Sequence, residues 1–258
     1  MTYLAGAAAA LSACHRVHGW SGASAGAIVA AAKAFATPDE AIRQALERVF
    51  TRGSAVSVDP LGIARGGWLS LDGVGDEIDA MLGAGRRLGD ALVPLVVCVT
   101  DLDRRRPWYL SSDRDARVSV REAVLASCSF MTTITPARSI PSIGSDMSPD
   151  VRLFGDGGLC DNTADGVWEA RRHPRVLLRI KPDDSPIRVR PGDVTGLAAA
   201  QFGSMLWAQS QPKSHRRDGT VIDLPSSGWD FRKTSDRVVR EWGAGYDVAR
   251  GELAQWVT

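Results

Sequence analysis

The sequence of 258 residues has almost no net charge and no long apolar run. Its 31 basic and 30 acidic residues give a net charge of +1, which provides no global attraction to nucleic acid or to an anionic membrane. No apolar segment approaches the roughly 18 residues that a membrane-spanning helix needs. The 44% hydrophobic and 24% charged content is that of a globular domain. We therefore expect no nucleic-acid partner and no transmembrane segment.

Cysteine and histidine are also scarce, with four of each. The cysteines form no C-x-x-C pair and no Cys/His spacing typical of zinc ligands, so we expect no metal site and no cofactor. Three of them lie among apolar or small residues, which favours buried, reduced thiols and a cytoplasmic protein. The cysteines are Cys14, Cys98, Cys128 and Cys160.

The first residues are rich in alanine and resemble the apolar core of a signal peptide. They lack the basic segment that would precede such a core. Cleavage after them would also leave the motif described below almost at the new terminus. We predict instead a buried helix over residues 3–14 that packs beside that motif.

The hydrophobic pattern alternates between helices and strands along the whole chain. It shows no internal repeat and no linker, which favours one α/β domain over residues 1–258. Residues 51–67 and 181–225 are rich in polar and turn-forming residues and are predicted to be loop and surface segments. The predicted helices are residues 3–14, 25–35, 41–50, 72–82, 120–129 and 234–256, and the predicted strands are 91–100, 108–110 and 175–180.

Residues 22–26 read Gly22-Ala23-Ser24-Ala25-Gly26 and match G-x-S-x-G, the pattern of a nucleophile elbow. In that turn a serine stands between a strand and a helix in a strained conformation, and small residues on either side relieve the crowding. The alanine-rich run that follows is a strong helix former. Its N-terminal N–H groups, beginning with that of Ala25, would face an oxyanion formed at the serine. A glycine-rich turn before a helix would give the same pattern.

A serine needs a base to become a nucleophile at neutral pH, and the usual base is histidine. His15 and His18 lie just before the elbow, His173 precedes a proline at a strand entry, and His215 lies in a basic loop. A surface or structural role is favoured for each of them. His215 is the strongest candidate for a triad of serine, aspartate and histidine.

A second candidate base is Asp156, which follows an apolar pair and is flanked by Gly155, Gly157 and Gly158. Glycines permit a close approach of the backbone to another element, and the carboxylate can then reach a serine. In isolation, a tight turn is the favoured interpretation of the same residues.

Taken together, these motifs resemble the patatin-like phospholipase family over most of the chain. The elbow is similar to the family's G-T-S-A-G-A, residues 156–158 to its D-G-G/A, and residues 123–128 to its A-x-x-A-S-C helix. The resemblance implies a three-layer α/β/α fold with a central, mostly parallel sheet. It also implies a lipid acyl hydrolase of the phospholipase A or esterase type, in which Ser24 is the nucleophile and Asp156 the general base. The reaction would pass through an acyl-enzyme.

The family pattern begins with a strand and a G-G-G-x-[KR]-G loop that forms much of the oxyanion hole. Here the sequence starts at what resembles the following helix, so we expect a domain that lacks this strand and loop. Two further interpretations stay open: a catalytically impaired relative that binds lipid or a partner, and an α/β-hydrolase that uses His215. Substrate would be phospholipid or another lipid ester. Trp207 and Trp229 are candidates for peripheral contact with a membrane, although a core or lid role is favoured for both.

Overall fold

The computed structural model describes residues 1–51, 57–58, 69–129, 138–140, 153–168, 174–181, 219–225 and 233–255. The helices are α1 Thr2–Cys14, α2 Ala25–Ala34, α3 Asp39–Thr51, α4 Asp72–Leu82, α5 Val120–Ser127, α6 Gly158–Asp161 and α7 Ser235–Ala254. The strands are β1 Trp20–Ala23, β2 Ser57–Val58, β3 Leu69–Ser70, β4 Leu95–Asp101, β5 Arg106–Ser111, β6 Arg138–Ser139, β7 Leu153–Asp156, β8 Arg175–Ile180 and β9 Gly219–Leu224. The elements confirm the predicted α/β class.

Strand β4 is the centre of the larger sheet and is buried along its whole length. This agrees with its continuous apolar sequence, which is typical of a strand covered on both faces. It begins at Leu95, four residues after the predicted start. The predicted return strand is confirmed as β5, which pairs with β4 in antiparallel fashion from Val96 to Asp101.

Strands β1 and β7 share the other edge of β4, end to end. β1 is parallel to β4, and its last residue, Ala23, pairs with Cys98. β7 runs in the opposite direction, and its last residue, Asp156, pairs with Val99. The two strands therefore end at neighbouring positions of β4. The described part of this sheet is mixed, because β6 also pairs with β7 in antiparallel fashion.

The largest apolar cluster lies between this sheet and helices α2, α4 and α5. Its centre consists of fully buried side chains from the sheet, including Val97, Leu110 and Phe154. On the opposite side of β1 and β4, a small cluster of Ala23, Cys98 and Ala164 packs against Tyr109. The elbow between β1 and α2 is thus supported from both faces of the sheet.

Helix α1 packs mainly against α7, with few residues against α2. At the crossing, a Cβ on Gly6 would lie 2.0 Å from the Trp242 carbonyl oxygen, and one on Gly245 would lie 2.2 Å from the Tyr3 carbonyl oxygen. Glycine at both positions lets the two backbones approach this closely. Ala5 and Ala8 of α1 share a cluster with residues of α2, and Leu4 packs against that cluster, so α1 also contacts the helix that follows Ser24.

Two segments predicted as loop or surface contain strands. Residues 219–224 form β9, which pairs in parallel with β8, and both Ile222 and Leu224 are fully buried. Ile222 and Leu224 pack inward on either side of the exposed Asp223, although the surrounding composition is polar. Within residues 51–67, Ser57–Val58 pairs with Leu69–Ser70 as β2 and β3. Short strands of this kind carry too few residues to give a periodic signal.

The cysteines are less buried than predicted. All four are free thiols, but only Cys98 is buried, Cys14 is exposed, and Cys128 and Cys160 are half-buried. Small neighbouring residues in the sequence therefore do not show that a cysteine is buried. Among the helices in the described ranges, none is both long and apolar enough to cross a bilayer.

Candidate active site

Ser24 lies at the junction between β1 and α2 with φ 52° and ψ −126°. This is a backbone conformation that L-residues rarely adopt, and it persists only where the surrounding structure holds it. A strained serine between a strand and a helix is the geometry of a nucleophile elbow. Ser24 is half-buried.

Of the two glycines in the motif around Ser24, only Gly22 lies where a side chain would clash. A Cβ on Gly22 would lie 2.2 Å from the Gly26 carbonyl oxygen, so only glycine fits there. A Cβ on Gly26 would have no atom within 4 Å, so the clash expected at this position does not exist. Ala25 is the first residue of α2, directly after Ser24, and its N–H belongs to the first helical turn.

Asp156 is the last residue of β7 and is only 1% exposed. Its Oδ2 accepts a hydrogen bond of 2.7 Å from Ser24 Oγ, and its Oδ1 accepts one of 2.7 Å from the Gly158 N–H. Burial raises the pKa of the Asp156 carboxyl to about 6, although these two hydrogen bonds oppose the rise. Ser24 and Asp156 are 132 positions apart in the chain. They come together because β1, which precedes Ser24, and β7, which ends at Asp156, pair with neighbouring residues of β4.

The glycines around Asp156 have different steric surroundings. A Cβ on Gly157 would lie 2.1 Å from the Cys98 carbonyl oxygen, whereas one on Gly155 would lie 3.2 Å from Leu102 Cδ2. Gly157 therefore allows the chain to cross β4 at the site, and Gly158 supplies an N–H to the carboxylate. The segment is a strand-to-helix junction from β7 to α6, not a tight turn.

Two hydroxyl groups that the sequence interpretation did not assign contact the backbone of this site. The Ser127 hydroxyl accepts from the Ser24 N–H at 2.9 Å and donates to the Cys98 carbonyl oxygen at 2.6 Å. The Thr100 hydroxyl donates to the Asp156 carbonyl oxygen at 2.7 Å. The only sequence signal for Ser127 was its place in the family-like segment 123–128, and that segment does not reveal a partner 103 positions away.

Residues 158–168 are anchored across the sheet by two side-chain hydrogen bonds. The Tyr109 hydroxyl donates to Asp161 Oδ2 at 2.7 Å, and burial together with this bond raises the pKa of Tyr109. The Trp168 Nε1–H donates to Ser21 Oγ, also at 2.7 Å. The chain that follows Asp156 is thereby attached to both β5 and β1.

The hydroxyl of Ser24 donates to a carboxylate rather than to an imidazole. His18 is exposed and precedes β1. His173, His215, Trp207 and Trp229 lie outside the described residues. Within the ranges that the structure describes, no group of three or more His, Cys, Asp or Glu side chains is arranged to hold a metal ion.

The mixed sheet, packed against helices and carrying a strained serine next to a buried carboxylate, is that of an α/β protein. A family model described as patatin-like phospholipase matches residues 1–165. Because that match covers more than half of the sequence, the chain belongs to the patatin-like phospholipase family. The predicted family and fold are both confirmed by this match.

The fold is similar to the crystal structure of VipD from Legionella pneumophila, with a TM-score of 0.54 and 15% sequence identity. The alignment covers 98% of this chain and 65% of VipD, so the chain spans about two thirds of that protein's length. At this identity the similarity supports the fold alone. No curated protein matches the sequence.

Proposed function

We propose that the chain is a lipid acyl hydrolase that uses Ser24 and Asp156 as a catalytic dyad. The observation that carries the proposal is the 2.7 Å hydrogen bond from Ser24 Oγ to Asp156 Oδ2 at a strained elbow. Membership of the patatin-like phospholipase family supports a lipid ester as the substrate.

In the acylation step, Ser24 Oγ attacks the carbonyl carbon of the ester while Asp156 Oδ2 takes the hydroxyl proton. The tetrahedral intermediate then expels the alcohol, which leaves with the proton held by Asp156. An acyl group remains on Ser24. Because Asp156 is almost completely buried, its carboxylate is poorly hydrated and is a stronger base than an exposed aspartate.

In the deacylation step, water attacks the acyl-enzyme and gives a proton to the same carboxylate. Collapse of the second intermediate releases the fatty acid and returns the proton to Ser24. The N–H of Ala25 at the start of α2 is in position to donate to the oxyanion in both steps, and the helix dipole adds to its effect. The Gly158 N–H bond holds Asp156 Oδ1, which leaves Oδ2 for the proton transfers.

The test compares wild type, Ser24→Ala and Asp156→Asn on a short p-nitrophenyl ester and on phospholipid vesicles. We expect both variants to lose at least about 1000-fold in kcat, because residues that act as one unit are each required. Ser12→Ala is the matched control, since Ser12 is exposed and its hydroxyl donates to the Ala8 carbonyl oxygen within α1. Equal rates for wild type and Ser24→Ala would contradict the proposal.

Vesicle binding without turnover in the wild type would favour the binding-only relative. Turnover that depends on His215 but survives in Asp156→Asn would favour a triad. The same vesicle assay measures the predicted peripheral contact with a membrane, as the fraction of protein that sediments with lipid.

A further inference from the structure

Ser127, the last residue of α5, is fully buried beneath the elbow. Its hydroxyl accepts the Ser24 N–H at 2.9 Å and donates its own proton to the Cys98 carbonyl oxygen at 2.6 Å. One side chain therefore connects the nucleophile's backbone to the central strand. Both bonds have normal lengths, so the donor and acceptor capacity of the hydroxyl is used without distortion.

The backbone of Ser127 also contacts the other half of the site. Its carbonyl oxygen accepts the Gly157 N–H at 3.2 Å, directly after Asp156. The end of α5 thus contacts the chain at Ser24 and the chain next to Asp156. These are the two positions that must stay in register for Ser24 Oγ to reach Asp156 Oδ2.

The bond to Ser127 bears on the strain at Ser24. An unusual backbone conformation returns to a common one unless several contacts hold it. The Ser127 hydroxyl fixes the peptide plane that precedes the Ser24 Cα, and that plane sets the direction of the Ser24 side chain. The same bond occupies the Ser24 N–H, which leaves the N–H of Ala25 to face the substrate.

We propose that Ser127 is a positioning residue for the dyad, which holds the elbow at the angle that directs Ser24 Oγ to Asp156. This inference rests on the proposed hydrolase function. It differs from a merely stabilising role, in which loss of the hydroxyl would lower the melting temperature and leave the turnover of the folded enzyme unchanged.

The test uses Ser127→Ala, with Ser111→Ala as a control. Ser111 is also buried and its hydroxyl also accepts hydrogen bonds, but it is the last residue of β5 and pairs with Val96 rather than with Cys98 or Val99. Rates are measured at a temperature where circular dichroism shows each variant folded. We expect kcat of Ser127→Ala to fall about 10- to 100-fold, the scale of a small misplacement of reacting groups, with KM within twofold of wild type.

A second measurement reports the position of the elbow without activity. Amide hydrogen exchange at Ser24, followed by NMR, is expected to be faster in Ser127→Ala and unchanged in Ser111→Ala. Should Ser127→Ala fail to fold, Ser127→Cys fills the same space with a weaker donor and acceptor. Its kcat is then expected to fall at least about threefold, again with KM unchanged.

A kcat of the folded Ser127 variants within twofold of wild type overturns the inference, whatever happens to their melting temperature. Unchanged exchange at Ser24 also overturns it. Rates that depend on Ser24 but not on Ser127 contradict this inference alone. Rates that do not depend on Ser24 contradict the hydrolase proposal itself.

Discussion

At the scale of single residues, the Asp156 carboxyl group occupies a site that opposes its ionisation. Desolvation raises its pKa to about 6 from an ordinary value of 3.8, in spite of the bonds from Ser24 and Gly158. A base whose pKa lies near the working pH is suited to accept and return a proton. The same burial means that ionisation of Asp156 lowers the stability of the folded state.

The first prediction concerns the pH profile of ester hydrolysis. The base form of Asp156 is present only above its pKa, so kcat/KM should rise with pH and level off above a midpoint of about 6. Initial rates from pH 4 to 8 with a neutral p-nitrophenyl ester measure this midpoint. A midpoint near 4 would show that the carboxyl group is hydrated in the free enzyme.

The second prediction is that Asp156→Asn is more stable than wild type above pH 6. The folded state binds the Asp156 proton more tightly than the unfolded chain, so wild type loses stability as the pH rises from about 4 to about 6. The loss amounts to about 3 kcal/mol at most, and Asn avoids it because it carries no charge.

Urea unfolding of both proteins at pH 4 and pH 8 measures this difference. The gain of Asp156→Asn should be largest at pH 8 and should nearly vanish below pH 4, where both side chains are neutral. An equal difference at the two pH values would mean that charge is not its cause.

At the scale of elements, the contact between α1 and α7 depends on small residues at the crossing. Gly245 lies where a Cβ would meet the Tyr3 carbonyl oxygen at 2.2 Å, whereas Gly251, later in α7, has open space around it. The same glycine-to-alanine change should therefore have opposite effects at two positions of one helix.

The third prediction is that Gly245→Ala lowers the free energy of unfolding by about 1–3 kcal/mol, because the two backbones must separate. Gly251→Ala should raise it by about 0.5–1 kcal/mol, because alanine is the better helix former. Thermal unfolding followed by circular dichroism compares the two variants. Destabilisation of similar size in both would contradict the steric argument, because a Cβ at Gly251 meets no atom within 4 Å.

At the scale of the whole molecule, the matched region and the folded unit have different bounds. The family match ends at residue 165, but α1 within it is covered by α7 near the end of the chain. Buried side chains of α7 such as Ala249 and Leu253 lie in one cluster with Ala7 and Ala10 of α1. We therefore expect the domain to need sequence beyond the family match.

The fourth prediction is that a chain ending at residue 232 loses cooperative unfolding. Removal of α7 exposes the apolar face of α1 to water, and a domain that is only marginally stable does not tolerate that loss. Circular dichroism and size-exclusion chromatography of the shortened chain test this. A cooperative transition at the wild-type temperature would show that α7 is dispensable.

Much of this architecture was predictable from local pattern. Helices α4 and α7 carry periodic apolar patterns and strand β8 is an apolar run, and all three lie within a few residues of their predicted bounds. The motif around Ser24 was visible because it lies within five successive residues. The family resemblance then paired Ser24 with Asp156.

The rest depends on contacts between distant parts of the chain. β9 is stabilised by pairing with β8, and the polar composition around it concealed its two buried side chains. The steric difference between Gly22 and Gly26 arises from the path of the backbone, which a motif does not contain. The partner of the Ser127 hydroxyl is set by packing of α5 beneath the elbow, so its role had no local signal.

The edge of β4 that pairs with β1 and β7 sets the distance between the two proposed catalytic residues. One peptide unit, between Cys98 and Val99, separates the positions at which β1 and β7 end. An insertion in the long connection from β5 to β7 leaves this spacing intact. An extra residue between Cys98 and Val99 would move the two ends apart by about 3.3 Å, more than the length of the bond they make. We therefore expect an insertion between Cys98 and Val99 to abolish the contact between Ser24 and Asp156.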